Sequence, residues 1–292
     1  MAGETQYELA QLAQRKGKQR DATLAAILAT AALIDDLARL YLIAIQTRIE
    51  ETGDTLVPAF NAGLTDDQLK WVESAIDAKV AGAVIGASTA LATYFRRLES
   101  WQLSFWVRTV LAATDVDLAP LLTSSEASGI VQAAVNTNAA LLKGVSDNLK
   151  VRLDTILWDA VNKRRFAQIG MGPMVVPPNG LPVGSASFAT EFVAEINKAA
   201  EIAIRRAKNT AADQVHSVVA DLNQYRQRQA GVTEYVWNHT PQANPRHWHV
   251  ARHGKVYSWS KPPYDGPPGT LPFCKCTARA YVRIRPLVTT PK

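Results

Sequence analysis

The sequence predicts a mainly α protein of long helices closed by a small C-terminal β-containing cap, an α+β arrangement. Three observations carry that prediction. Up to about residue 230 the chain has long Ala/Leu-rich stretches with apolar residues spaced by three and four, the period of a helix face. After Gly231 the texture changes to short aromatic and β-branched runs, "TEYVW", "KVYSW" and "ARAYVRIR". In the last of these Ala280, Val282 and Ile284 alternate with Tyr281, Arg283 and Arg285, the period of two expected of a half-buried strand.

Taken in chain order, residues 5–20 and 22–52 read as helices. "TGDTLVPAFNAGLTDD" (52–67) is a turn-rich break whose Thr65 can cap the next helix, with Asp66 and Asp67 at the positive end of its dipole. The spacing predicts a helix to about residue 95 and another over 97–113. "ATDVDLAPLLTSSEASG" is a second break, with Ser124 or Ser125 as the cap of the succeeding helix. That helix is strongly amphipathic, with Leu141, Leu142, Val145, Leu149, Leu153, Ile156, Leu157 and Val161 on one face. It ends in Lys163, Arg164 and Arg165, where cations suit the dipole. "IGMGPMVVPPNGLPVGSAS" (169–187) is too rich in Pro and Gly to be helical. A last long helix is expected from near Thr190 to about Gln229, ended by Gly231. The organisation is then an N-terminal helical region (1–120), a second helical region (121–231) and the cap (232–292).

Composition excludes some classes. With 47% hydrophobic and 20% charged residues the chain can bury a real core. Two cysteines in 292 residues cannot build a disulfide scaffold, and a C-x-C pair suits a reducing compartment. The polar start is not a secretion signal. Asp35 and Asp36 argue against a membrane span in the apolar run around them. "VAGAVIGASTALATYF" (80–95) has no charge, and its Gly82 and Gly86 permit close helix contact. It reads either as a buried small-residue helix or as a segment that enters a membrane. Residues 1–120 carry a net charge of −4 and residues 121–292 one of +10. A basic C-terminal half suits a polyanion such as DNA, with Arg205, Arg206, Lys208, Arg279, Arg283 and Arg285 as the candidate contacts.

Four of the five histidines (His239, His247, His249, His253) and both cysteines (Cys274, Cys276) fall within 38 residues. Zinc takes four N or S ligands in a tetrahedron, and a cap with little core of its own gains from such a staple. On that reading His249, Cys274 and Cys276, with His253 as the fourth or His247 or His239 in its place, are the candidate ligands of a structural zinc. The same groups can instead be satisfied partners in a small core. A Cys/His nucleophile pair is the third reading, and no orienting group for it stands out in the sequence.

The order of these residues resembles the phage head morphogenesis family of Mu protein F type, the minor head or minor capsid proteins. The matching residues are Gly231-Val232, Trp237, Arg246, His249, Gly254-Lys255-Val256-Tyr257, the "PPYDGPPGTLP" loop and Cys274-Lys275-Cys276. The resemblance is sharp over about 231–282 and extends loosely back to about 136. Gln242, Asn244 and His253 stand where the family has Asp, Arg and Asp. The resemblance implies a non-enzymatic structural component of a bacteriophage virion, in the head interior, made in the host cytoplasm. Its implied partners are the portal protein, the major capsid protein and packaged DNA. An ejection protein that meets a membrane as the DNA leaves is the alternative, and a metal-dependent enzyme acting on nucleic acid is a further one.

Overall fold

In the computed structural model residues 8–122, 127–168 and 185–284 are described. The expected caps Ser124 and Ser125, most of the 169–187 loop and Arg285 lie outside them. In chain order the elements are α1 (Leu9–Arg15), β1 (Ala22–Thr23), α2 (Ala31–Glu51), α3 (Val57–Asn61), α4 (Asp66–Thr114), α5 (Ser128–Gln168), α6 (Ser185–Gln229), β2 (Glu234–Asn238), α7 (His247–Val250), β3 (Val256–Ser258) and β4 (Thr277–Val282). The fold is mainly α, with one four-stranded antiparallel sheet in the order β1-β4-β2-β3.

Several helix boundaries differ from expectation: α1 is confined to Leu9–Arg15, α3 lies inside the expected 52–67 break, and α6 begins at Ser185 and not near Thr190. Residues 22–52 are not one helix. Ala22 and Thr23 pair with Val282 and Tyr281, and the Leu24 amide donates to the Ala280 carbonyl at 2.9 Å. The free edge of β4 satisfies these backbone groups, and tertiary pairing thereby overrides local helix propensity. The helix starts only after Thr30, whose hydroxyl accepts the Leu33 amide. The predicted break near residue 96 is also absent. Helix α4 runs 49 residues unbroken, because "YFRRLES" holds neither Pro nor Gly and Arg is a good helix former. Its start is as predicted and more complete. Thr65 accepts the Gln68 amide, and the Gln68 side chain accepts the Thr65 amide at 2.9 Å, a reciprocal capping box.

Contacts divide the chain into two compact units. One comprises Asp36–Leu91 and Thr137–Ala211. Its core is a helix-on-helix seam that includes Leu37, Phe60, Leu69, Leu142, Leu157 and Phe192, all buried. Of the face predicted for α5, Leu142, Leu149, Leu153, Leu157 and Val161 are buried, while Leu141, Val145 and Ile156 are half-buried. Polar groups also sit in this unit. Arg48 pairs with Asp77 at 2.8 Å, and Lys150 bridges Asp77 and Asp154 at 3.3 and 2.7 Å. Burial first, and then the Asp154 carboxylate, push the Glu73 carboxyl up to about 7 against the pull of Lys150.

The uncharged stretch of α4 is neither buried throughout nor packed through its glycines. Val80, Ala87 and Leu91 face inward, while Ile85 is 67% exposed. Gly82 and Gly86 are exposed, and a Cβ on either would meet nothing within 4 Å. Among the described residues α4 is the helix long and apolar enough to cross a membrane, and only 22% of its most apolar window is buried.

The other unit comprises Met1–Asp35, Ala92–Asn136 and Ala212–Lys292 and holds the sheet. Helix α6 ends as the sequence predicts. Gly231 takes φ +67°, its amide donates to the Arg228 carbonyl at 3.0 Å, and the Val232 amide donates to the Gln227 carbonyl at 2.9 Å. This is a Schellman motif, and it turns the chain into β2. Before that turn, Arg226 forms a buried ion pair with Glu99 of α4. Asn223 and Gln227 of α6 both donate to the Ala278 carbonyl of β4, at 2.7 and 3.0 Å. The helix thus docks on the sheet through hydrogen bonds that satisfy buried amide groups.

Three outcomes test these statements. Gly231→Ala places a Cβ at positive φ and within 2.6 Å of the Glu8 carboxylate, so a urea titration should show a loss of about 1–2 kcal/mol. Gly82→Ala, in open space inside α4, should instead stabilise by up to about 1 kcal/mol in the same measurement. Glu73 has a folded pKa of about 7 against an ordinary 4.5, so its contribution is whole below pH 4.5 and is lost as pH rises through about 7. Glu73→Gln should therefore match the wild type near pH 5. By pH 9 it should exceed it by about 1–2 kcal/mol, after discounting for solvent screening.

Candidate functional site

The histidine and cysteine groups converge on one end of the sheet. Strand β2 alternates outward Glu234, Val236 and Asn238 with fully buried Tyr235 and Trp237. The buried pair forms a small core with Trp259, Cys274, Cys276 and Ala278, flanked by Tyr257 and Leu271. Arg246 precedes α7, and its carbonyl accepts the His249 and Val250 amides. That single turn points His249 inward, where it is 3% exposed and meets Trp237 edge-on at 5.0 Å.

The loop from Tyr257 to Cys274 brings the cysteines to it. Gly269 lies so close to α6 that a Cβ would fall 2.4 Å from the Ala220 side chain. Phe273 takes φ +59°, a strained conformation for a residue with a Cβ, held by its amide's hydrogen bond to the Asp213 carboxylate. The result puts Cys274 Sγ 3.5 Å and Cys276 Sγ 3.6 Å from His249 Nδ1. His239 Nδ1 lies 3.6 Å from Cys276 Sγ. The Cys276 thiol donates to Cys274, which holds the Cys274 thiol below the usual range and pushes that of Cys276 above it. Backbone amides of Gly269 and Cys276 also favour the Cys274 thiolate, and that of Thr240 favours the Cys276 thiolate.

The other face of His249 meets a residue that the sequence reading passed over. Asp265 is the sole acidic side chain between 235 and 292. Its Oδ2 accepts from Trp248 Nε1 at 2.9 Å and contacts His249 Nε2 at 3.1 Å, while its Oδ1 accepts from Arg252 at 2.6 Å. Burial works to raise its pKa, and the Arg252, His249 and Trp248 donors outweigh it, so the carboxyl stays below its usual range. Arg252 in turn lies over the Trp237 ring at 4.9 Å. A lone acid in a basic, Pro/Gly-rich stretch was the available signal.

The remaining sequence-predicted residues fall into place around this centre or away from it. His253 is exposed, and its Nδ1 accepts the His239 amide at 3.1 Å. It lies outside the group of potential metal ligands, which among the described residues is His249, Cys274 and Cys276. His247 is exposed against Trp248. Arg246 donates to the Pro272 carbonyl at 2.9 Å. Gly254 (φ +77°) donates to the Trp237 carbonyl, and the Lys255 carbonyl accepts the Trp237 amide, which closes the β2–β3 hairpin. Tyr257 packs on Tyr235 and Trp237. Arg205, Arg206 and Lys208 are exposed on α6. Arg279 is half-buried and donates to the Leu24 carbonyl at 2.9 Å, and Arg283 is paired with Glu234.

Cysteine, imidazole and carboxylate in series are also the parts of a nucleophilic triad. Access separates the two possibilities. Cys274, Cys276 and His249 are each at most 4% exposed. The cavity beside Cys276, lined by Ile27, His216 and Asn223 among others, has a volume of about 10 Å³, enough for about one water. The sulfurs are thus closed to solvent, and an ion needs no space beyond its ligands.

Residues 184–279 match the Phage Mu protein F like family. The resemblance read from the sequence is thereby borne out, with its boundary moved from about 136 to the start of α6. The Mu F-like region takes in α6, β2, α7, β3 and the first residues of β4, so it contains the whole His/Cys/Asp centre. Searches of curated proteins and of solved structures give no match.

Asp265→Asn should uncouple α7 from the loop by removing the charge that Arg252, His249 and Trp248 share. Urea unfolding followed by the near-ultraviolet signal of the tryptophans should show a loss of about 1–3 kcal/mol.

Proposed function

We propose that this chain is a minor capsid protein of head morphogenesis, a non-enzymatic structural component of the phage head interior. The observation that carries this reading is the Mu F-like match over 184–279, and the burial of His249, Cys274 and Cys276 within that region supports it. The partners on this reading are the portal protein and the major capsid protein, bound through helical surfaces. Packaged DNA is the third partner. The exposed Arg205, Arg206 and Lys208 and the net charge of +10 over residues 121–292 support it, since Lys and Arg near phosphates release counterions on contact.

Quantitative mass spectrometry of purified particles tests the proposal, comparing full heads with heads that have ejected their DNA. A fixed, low ratio to portal in both is the expected result. Complete absence from the particle would count against a structural role in the virion.

One observation favours a second reading, an ejection protein with membrane activity. The apolar part of α4 is largely uncovered, with Trp71 and Ile85 74% and 67% exposed on the same helix. On that reading the protein leaves the head with the DNA, and it releases a dye from anionic liposomes. Retention in emptied heads together with intact liposomes would remove it.

A further inference from the structure

The three buried atoms Cys274 Sγ, Cys276 Sγ and His249 Nδ1 lie within 4.8 Å of one another. Zn–S bonds of about 2.3 Å and Zn–N bonds of about 2.0–2.1 Å at a tetrahedral angle put S and N about 3.6 Å apart. The two S···N distances here are 3.5 and 3.6 Å. A thiol resting on an imidazole gives a similar distance, so spacing alone does not decide between ion and hydrogen bond.

Two neighbours of the cluster decide it. The first is Asp265, whose carboxylate engages His249 Nε2 at 3.1 Å. The proton is thereby held on Nε2, and the lone pair of Nδ1 is left facing the two sulfurs, as in the carboxylate–histidine pairs behind metal ligands. The second is the Trp237 indole, packed in the same small core, whose N–H is buried with no hydrogen-bond partner among the described residues.

A candidate fourth ligand is His239, half-buried just past the end of β2, whose Nδ1 lies 3.6 Å from Cys276 Sγ but outside the group of three, so that its ring must shift to complete a tetrahedron. His253 instead accepts the His239 amide. Two thiolates and two imidazoles form a set that suits zinc and excludes magnesium or calcium.

We propose that Cys274, Cys276, His249 and His239 bind one zinc ion, and that this ion staples α7, the 257–274 loop and the sheet into a single cap. Strands of two to six residues around a six-residue core leave little apolar area to do this unaided. The inference does not depend on the capsid reading, because it concerns only how the cap is held.

The full-length protein, purified without chelators, should carry about one zinc per chain by elemental mass spectrometry. Stripping it with 1,10-phenanthroline should lower the melting temperature, and added zinc should restore it. Cobalt(II) in place of zinc should give tetrahedral d–d bands with thiolate charge-transfer absorption, a signature that needs no variant to fold. Asp265→Asn should weaken cobalt binding about 10–100-fold, and His239→Ala by at least as much. Metal-free protein that neither takes up cobalt nor responds to the chelator overturns the proposal. A His239→Ala protein that binds as tightly as the wild type overturns the four-ligand assignment.

Discussion

The Asp265 carboxylate is the point on which the C-terminal cap depends. It is nearly buried, and it accepts from an indole, an imidazole and a guanidinium that come from α7 and the residues just after it. A charge in that position is tolerable only because it is so fully compensated. In return it fixes three things together. It anchors the irregular 257–274 loop to α7, it sets the orientation of His249, and through Arg252 it seats a cation on the face of Trp237. The loop has further ties in the Trp259 indole on Gln227, the Arg246 guanidinium on the Pro272 carbonyl and the Phe273 amide on Asp213, but none of them reaches His249.

Much of the fold is legible because it rests on local rules. The Thr65 cap, the apolar face of α5, the Gly231 stop and the alternation of β4 each depend on residues a few positions apart. What escapes is long-range. Ala22 and Thr23 sit at the head of an Ala/Leu-rich run that masks the β-branched Thr23, and pairing with the open edge of β4 makes them a strand. The unbroken α4 escapes for the opposite reason, since nothing in its middle needs to break and the expected stop had no physical cause.

The site is legible as a collection and not as a geometry. Residue types and their crowding mark His249, Cys274 and Cys276, and the structure brings those three together. Choosing among the other histidines requires knowing that β2 ends at Asn238 and that α7 turns back before Gly254, which no spacing reveals. His239 and His253 consequently exchange places relative to the sequence reading, one against a sulfur and the other behind it. Asp265 is missed because an acid in a turn-rich loop has so many ordinary explanations. The basic residues of β4 look outward by alternation, yet Arg279 and Arg283 are engaged within the sheet.

The pairing of β1 with β4 joins residue 22 to residue 282. During synthesis, therefore, the first strand of this sheet waits until the last one has left the ribosome, about 260 residues later, before the sheet can close. The same pairing bears on how the Mu F-like region behaves when cut out. A fragment of residues 184–279 loses β1 altogether and severs β4 partway, so the sheet keeps an unprotected hydrogen-bonding edge. Such a fragment is prone to self-association through that edge, and aggregation of the excised domain would speak of its missing strand and not of its native assembly.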